Sequence, residues 1–382
     1  MIDAAEVAGE ARADRDGHLA GVDFDRSPFV IAWELTRACA YSCAHCRADA
    51  QPYRDPDELG TPEALGLVDD LAGFGTRPIL VLTGGDPLMR RDVFEIAAYA
   101  VDRGLRVALT PTATALTTPA RMVEARSVGI RRVAFSLDAP DAEMHDRFRG
   151  FRGSFERTLS GIEAAANAGL ALQLNTTVCT LNVDAIERMV QVVASLGAVQ
   201  WSVFFLVPTG RGRRLTMLSA DEHERLIGWL DSLSESLPFD LKFTAAPQHR
   251  RIALERAGGG RLAGAGYHFA DGLVRPAKGV NDGRGFMFVS HRGEVMPSGF
   301  LPLSAGRAQE GGAVRIYREA PLFRELRDPD ALRGKCGQCE FREVCGGSRA
   351  RAFAVSGDHL GPDPSCPYVP GGSSRSPGSA SL

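Results

Sequence analysis

FVIAWELTRACAYSCAHC, residues 29–46, joins an apolar run to three cysteines spaced CxxxCxxC, with a histidine between the last two. The first half, FVIAWELT (29–36), reads as a strand, because β-branched and aromatic residues dominate a short run that ends at polar ones. Five more runs follow at similar intervals: PILVLT (78–83), LRVALTPT (105–112), RRVAFSLD (131–138), LALQLNTTV (170–178) and AVQWSVFFLV (198–207). Amphipathic stretches separate them, which is the pattern of repeated βα units on a parallel sheet. Thr61-Pro62-Glu63 and Thr118-Pro119 predict helix starts, each a hydroxyl cap with proline behind it. Ser154 and Asp184 are the candidate caps of the next two helices. Right-handed crossovers between six parallel strands predict an α/β fold, a partial (β/α)6 TIM-like barrel; an open doubly wound sheet is the alternative.

Past Val207 the pattern changes. LSADEHERLIGWL is a further helix with a Ser219/Glu222 capping box, and FDLKFT reads as a strand. Residues 255–285 are glycine-rich and read as a loop or linker, and GFMFVSHRGEVMPSG (285–299) reads as a hairpin turning at Arg292-Gly293. With 382 residues, 44% hydrophobic and 24% charged, the chain has material for a substantial core. A net charge of −3 and the lack of a long basic run give no footprint for nucleic acid. The start lacks the basic and apolar blocks of a signal peptide, and no segment nears ~18 uninterrupted apolar residues, so a cytoplasmic protein with no membrane partner is expected.

Eight cysteines are too few for a disulfide framework in a chain this size, and in a reducing compartment clustered thiols point to metal binding or catalysis. Cys39, Cys43 and Cys46 follow the first strand. A structural zinc site takes four ligands, which His45 or a remote group would have to complete. A 4Fe-4S cluster on three thiolates would instead keep one iron open to a small molecule, and spacing alone leaves both readings standing. After the second strand, Gly84 and Gly85 allow close backbone approach to a ligand, and Asp86 offers an acceptor for a cation such as an ammonium. Thr112, Ser136, Asp138 and Asn175 close the next three strands, where hydroxyl, amide and carboxylate groups suit a ribose or an amino-acid carboxylate.

CxxxCxxC after the first strand, GGDP after the second, SLD after the fourth and six βα units together resemble the radical S-adenosylmethionine enzymes. The resemblance runs from about Phe29 to Val207. It implies that Cys39, Cys43 and Cys46 hold a 4Fe-4S cluster whose open iron takes the amino nitrogen and carboxylate of S-adenosylmethionine. It also implies that Gly84, Gly85 and Asp86 meet the methionyl amine and Ser136 the methionyl carboxylate or ribose. Thr112, Asp138 and Asn175 are further contacts, His45 lies beside adenine where the family has an aromatic residue, and Leu206 packs near adenine. The chemistry implied is reductive cleavage of the sulfonium to a 5′-deoxyadenosyl radical that takes hydrogen from a substrate. HDRFRG (145–150) and GSFERTLSGI (153–162) resemble the same family; Arg157 there reads either as a contact of the methionyl carboxylate or, the safer reading, as an exposed helical arginine.

Cys336-x2-Cys339-x5-Cys345 and Cys366 supply four thiolates, enough to close a cluster or a zinc site. This region resembles the SPASM extension of radical enzymes in a reduced, twitch-like form. Ser298 and Arg349 stand where the fuller pattern has cysteines of a further cluster, so the resemblance implies one auxiliary 4Fe-4S cluster on Cys336, Cys339, Cys345 and Cys366. Cys179 reads as a small buried hydrophobe. In VPTGRG (207–212), Arg211 reads either as a basic rim for substrate carboxylates or as solvated surface.

The organisation implied is a flexible segment 1–28, a radical barrel 29–235, a connecting strand and glycine-rich loop 236–285, a small α+β iron–sulfur domain 286–369 and a disordered tail 370–382. Sequences around GFMFVSHRGEVMPSGFLPL and CGGSRARAFAVSGD resemble SPASM proteins of haem biosynthesis, which remove or decarboxylate tetrapyrrole side chains. The extension is equally typical of peptide maturases. Either substrate calls for a reducing partner such as flavodoxin or ferredoxin. An iron–sulfur redox or sensor protein is the third reading, and it leaves the GGDP loop and strand-end polar residues without a task.

Overall fold

The computed structural model describes residues 22–256, 267–268, 274–275 and 279–371. Seven strands follow one another across the sheet in chain order, each parallel to the last: β1 (Val30–Glu34), β2 (Ile79–Thr83), β3 (Arg106–Leu109), β4 (Arg132–Ser136), β5 (Ala171–Val178), β6 (Gln200–Phe205) and β7 (Asp240–Thr244). At the other edge β8 (Phe286–Val289) runs parallel to β1, and β9 (Val295–Met296) closes the sheet antiparallel to β8. The result is a curled, nine-stranded partial barrel containing the six expected strands and extended at both edges. Helices α1 (Thr61–Ala72), α2 (Val93–Asp102), α3 (Pro119–Ser127), α4 (Ala142–Arg149), α5 (Ser154–Asn167), α6 (Ile186–Ser195), α7 (Ala220–Leu233) and α8 (His249–Arg256) fall between or after these strands.

Alternation decides which side of each strand meets the helices. In β2, Leu80 and Leu82 are fully buried, whereas Ile79, Val81 and Thr83 on the other face are only partly so. A parallel sheet packed on both faces would bury both sets; the half-open set marks the concave side of a curled sheet. Trp33, Leu109, Phe135, Leu174 and Trp201 continue the fully buried layer beneath the helices.

The helix starts depart from expectation in three places. At α1 the cap is Gly60, whose N–H donates to the Glu63 carboxylate at 2.8 Å, and the Thr61 hydroxyl donates to Asp92 instead. At α5 the cap is Gly153, and Ser154 turns inward to donate to Asp146. Asp184 sits within a short 3-10 turn, so Ala185 precedes α6. Thr118 and the Ser219/Glu222 box cap α3 and α7 as the sequence predicts.

The predicted hairpin forms, with Gly293 in the left-handed region at its turn (φ 81°). It is continuous with the barrel, since Ala32 of β1 pairs with Phe288 of β8. Helix α9 (Ala313–Glu319) adds Tyr317, fully buried, whose hydroxyl donates to the Phe24 carbonyl at 2.7 Å. The end of the leading segment expected to be flexible is therefore packed: Phe24 and Ser27 are buried. Residues 1–21, the tail from 372, and 257–266, 269–273 and 276–278 of the glycine-rich stretch lie outside the described residues. Among the described residues no helix is long and apolar enough to cross a membrane.

Candidate active site and auxiliary cysteine site

The cysteine loop is closed at its base by two backbone bonds, Cys39 N–H to Gln51 O (2.7 Å) and Gln51 N–H to Arg37 O (2.9 Å). Cys39 and Cys43 are buried and Cys46 is half-buried. Tyr41 wedges between them, stacked on Phe151 at 4.6 Å, its hydroxyl donating to Ala113 O. Backbone amides already face two sulfurs, Tyr41 N–H toward Cys39 at 3.4 Å and Ala50 N–H toward Cys46 at 3.5 Å. Burial pushes the Cys43 thiol up to about 11, so a free thiolate there is unstable without a cation to compensate it.

The two glycines of GGDP serve this loop directly. A Cβ on Gly84 would stand 2.4 Å from Thr36 O, and one on Gly85 2.3 Å from Ala38 O. Only bare backbone fits, and it is bonded there: Gly85 N–H donates to Thr36 O and Asp86 N–H to Ala38 O, both at 2.7 Å. The Asp86 side chain is fully buried. It accepts from Leu88 N–H, Thr112 N–H and the Thr114 hydroxyl, although burial still pushes its carboxyl up. Asp86 thus fixes the segment that follows β3. Thr112 donates to Gly85 O at 2.6 Å and lies 3.8 Å from the Cys39 sulfur.

The β4 end carries Ser136, half-buried, opposite Asn175 in the register, with no hydrogen bond to its hydroxyl among the described residues. Asp138 is buried and accepts from Thr177 N–H at 2.8 Å and from Arg149 at 3.4 Å. His45 stands 4.0 Å from the same carboxylate and packs on Phe148 with ring centroids 4.7 Å apart. Burial, opposed only partly by Asp138, lowers the imidazole to about 4, and its buried Nδ1 has no partner among the described residues. Leu206 is buried with Phe148 and Cys179 behind this ring, and Cys179 is the buried hydrophobe the sequence predicts.

Arg149, which the sequence did not single out, is the cation of the site. Burial works against its charge, but the Cys43 thiolate and Asp138 outweigh that, and the guanidinium holds its proton more firmly than usual. Gly150, left-handed at φ 64°, follows because a Cβ there would meet Ser42 O at 2.7 Å. HDRFRG is therefore a helix end built against the cysteine loop, and a glycine directly after an arginine at a helix terminus was the available signal. Arg211 is neither rim nor free surface: it donates to Cys43 O and Ala50 O and pairs with Asp49. Arg157 lies over the Phe151 ring at 4.8 Å.

The second set of cysteines surrounds a single cavity, open at one side, lined by Cys336, Cys339, Cys345 and Cys366 with Gln248 and Arg251. Asp363 N–H faces the Cys336 sulfur at 3.4 Å and Gly347 N–H the Cys345 sulfur at 3.5 Å, as donors to a bound thiolate would. Burial pushes Cys345 up to about 12 and Cys366 to about 11. Where the fuller pattern has further cysteines, Arg349 is buried and donates to Gly347 O, His359 O and Gly361 O, and Ser298 is buried beside Asp282. No three His, Cys, Asp or Glu side chains among the described residues converge as a single ion would require.

A partial barrel with a three-cysteine loop after β1 and a four-cysteine cavity beyond it defines a radical SAM enzyme. The chain belongs to the radical SAM superfamily, whose profile matches residues 33–193. Members use S-adenosylmethionine and a 4Fe-4S cluster. Over 346 residues it is 44% identical to an AdoMet-dependent heme synthase of Methanosarcina barkeri, covering 90% of this chain and 98% of that one. It is 30% identical over 347 residues to the mycofactocin maturase MftC of Mycobacterium tuberculosis, covering 89% and 83%. Streptococcus suis SuiB bound to S-adenosylmethionine shares the fold, with a TM-score of 0.68 at 13% identity over 90% of this chain and 78% of that one.

Proposed function

We propose that this chain is a haem synthase that oxidatively decarboxylates propionate side chains of an iron-coproporphyrin to vinyl groups. The observation that carries the reading is the 44% identity to an AdoMet-dependent heme synthase along nearly the whole of both chains, against 30% to a peptide maturase. Cys39, Cys43 and Cys46 hold the radical 4Fe-4S cluster, a donor set whose sulfurs are buried, faced by backbone amides and balanced by Arg149. Cys336, Cys339, Cys345 and Cys366 hold an auxiliary 4Fe-4S cluster, in keeping with the cavity they share. Bound at the first set, cluster and S-adenosylmethionine supply a 5′-deoxyadenosyl radical; bound at the second, a cluster supplies one-electron transfer.

The remaining tasks belong to the chain's own residues. The partnerless Ser136 hydroxyl and the Asn175 amide hold the methionyl carboxylate or ribose, the Gly84–Asp86 backbone meets the methionyl amine, and the neutral His45 ring, backed by Phe148 and Leu206, lies against adenine. Thr112 and Asp138 hold the two loops in register from behind. For each side chain, –CH2–CH2–COO⁻ would lose one hydrogen atom from the carbon next to the ring to the 5′-deoxyadenosyl group, then CO2 and one electron that the auxiliary cluster would accept, leaving –CH=CH2. A flavodoxin or ferredoxin provides the reducing electrons, in the cytoplasm.

The test is anaerobic incubation of the reconstituted protein with S-adenosylmethionine, dithionite and iron-coproporphyrin III, read by mass spectrometry. Mono- and di-vinyl products with matching 5′-deoxyadenosine are expected. 5′-Deoxyadenosine without change in the porphyrin overturns the haem reading, and no 5′-deoxyadenosine at all returns the chain to a redox or sensor role.

A further inference from the structure

On the concave face the strand register aligns Ser136 of β4, Asn175 of β5, Ser202 of β6 and Lys242 of β7 in one row. Strands lie ~4.8 Å apart, so the row carries Lys242 roughly 14 Å along the sheet from Ser136. Two properties of Lys242 stand out. Solvent reaches its side chain, yet surrounding protein, and after it the charge of Arg132, holds the ammonium down at about 8. Both hold together for a side chain standing in an open cleft walled by protein, and at neutral pH such a lysine is still mostly charged.

Among the described residues Lys242 makes no hydrogen bond or ion pair. Asp240, two residues earlier on the same face, is engaged elsewhere and is not among the influences on the ammonium. Arg132, the second cation of this face, reaches across to accept support from Gln200, donating to its side-chain oxygen at 3.1 Å. The residue type is also informative: of 44 basic residues only Lys242, Lys278 and Lys335 are lysines. In a chain that uses arginine almost throughout, a lysine in mid-strand supplies a compact charge on a flexible stem, suited to one carboxylate oxygen instead of a fixed bidentate pairing.

We infer that Lys242, with Arg132 behind it, is a carboxylate-binding subsite that seats an acidic side chain of the substrate over the β6–β7 end of the cleft. This rests on the tetrapyrrole reading and adds to it the place where a propionate is held. The test measures equilibrium binding of iron-coproporphyrin III and of its tetramethyl ester to the reconstituted holoenzyme and to Lys242→Met and Lys242→Arg variants. Losing one charge-assisted contact weakens binding about 10- to 100-fold. K242M should show that loss for the acid, with no further loss for the ester, while K242R stays within about threefold of wild type. Iron per chain and S-adenosylmethionine affinity should match wild type in both, which separates loss of the subsite from loss of the fold. K242M that holds the acid as tightly as wild type overturns the inference and leaves the haem reading intact. Wild type that neither binds nor converts iron-coproporphyrin III overturns the haem reading, and the inference with it.

Discussion

Replacing Gly85 with alanine tests whether the GGDP turn exists to seat the cysteine loop. The added methyl would lie 2.3 Å from Ala38 O and 2.7 Å from both Ala38 C and Arg37 O, all backbone atoms with no side-chain freedom to give way. Restoring ordinary contact means a retreat of about 1 Å by the segment leading into Cys39. The bonds from Gly85 N–H to Thr36 O and Asp86 N–H to Ala38 O stretch with it. Overpacking costs about 1–3 kcal/mol and each weakened bond about 0.5–1.5, damaging but within a stability on the order of 5–15 kcal/mol. G85A should therefore fold, lose the first cluster and keep the second: iron falls from about eight to about four per chain, with 5′-deoxyadenosine formation abolished. G66A is the control, since a methyl on Gly66 meets nothing within 4 Å. A G85A protein that retains about eight irons and normal turnover would refute the reasoning, because the collision would then have been absorbed without moving the cysteines.

Arg149→Met removes the cation from beside buried Asp138 and should cost about 3–5 kcal/mol, the effect of stripping one partner from a buried pair. R149M/D138N should recover part of it; thermal melts showing less than about 1 kcal/mol for the single change would remove Arg149 from the site. For His291, burial opposes the charge, but Glu34 at 2.8 Å and Asp55 at 3.2 Å overcome it and hold the pKa above its ordinary value. That contribution to stability is complete below about pH 6.5 and fades as pH rises through the raised value. The apparent thermal midpoint should thus fall more between about pH 6 and 9 in wild type than in H291Q, and parallel curves would contradict it. Cys345→Ala should remove about four irons and leave the electron paramagnetic resonance signal of the first cluster in place; loss of both signals would deny the two sites their independence.

The strands and their ends were legible because they depend on local alternation and turn chemistry. Leu80 and Leu82 alternate with Val81 and Thr83, and that period survives in the fold unchanged. The cysteines were legible for the same reason, being close in sequence. Asp86 was legible as important but not in its manner of acting, since its three donors come from positions 88, 112 and 114. What Arg149, Arg211, Arg349 and Arg351 do was not legible. An arginine reads as surface until its partners are known, and these partners are carbonyls, carboxylates and sulfurs that only the fold brings to the guanidinium.

Arg351 shows what such arginines accomplish. Wholly buried in helix α10 (Arg349–Ser356), it donates to Phe205 O and Ala245 O at the ends of β6 and β7 and pairs with Asp363, which is also wholly buried. Asp363 in turn accepts from Ser348 N–H at 2.8 Å and from Ser365 N–H at 3.0 Å, and its own N–H faces the Cys336 sulfur. One guanidinium therefore links the loop that carries Cys366 to the strand ends that border Lys242. At the opposite edge β8 is hydrogen-bonded to β1, and His291, just beyond β8, bridges Glu34 and Asp55. The auxiliary region is thus fastened at both sides of the cleft, by a sheet edge and by a buried ion pair. Strain at either fastening would alter the distance between the two cysteine sets, so that distance is fixed by the same contacts that shape the cleft.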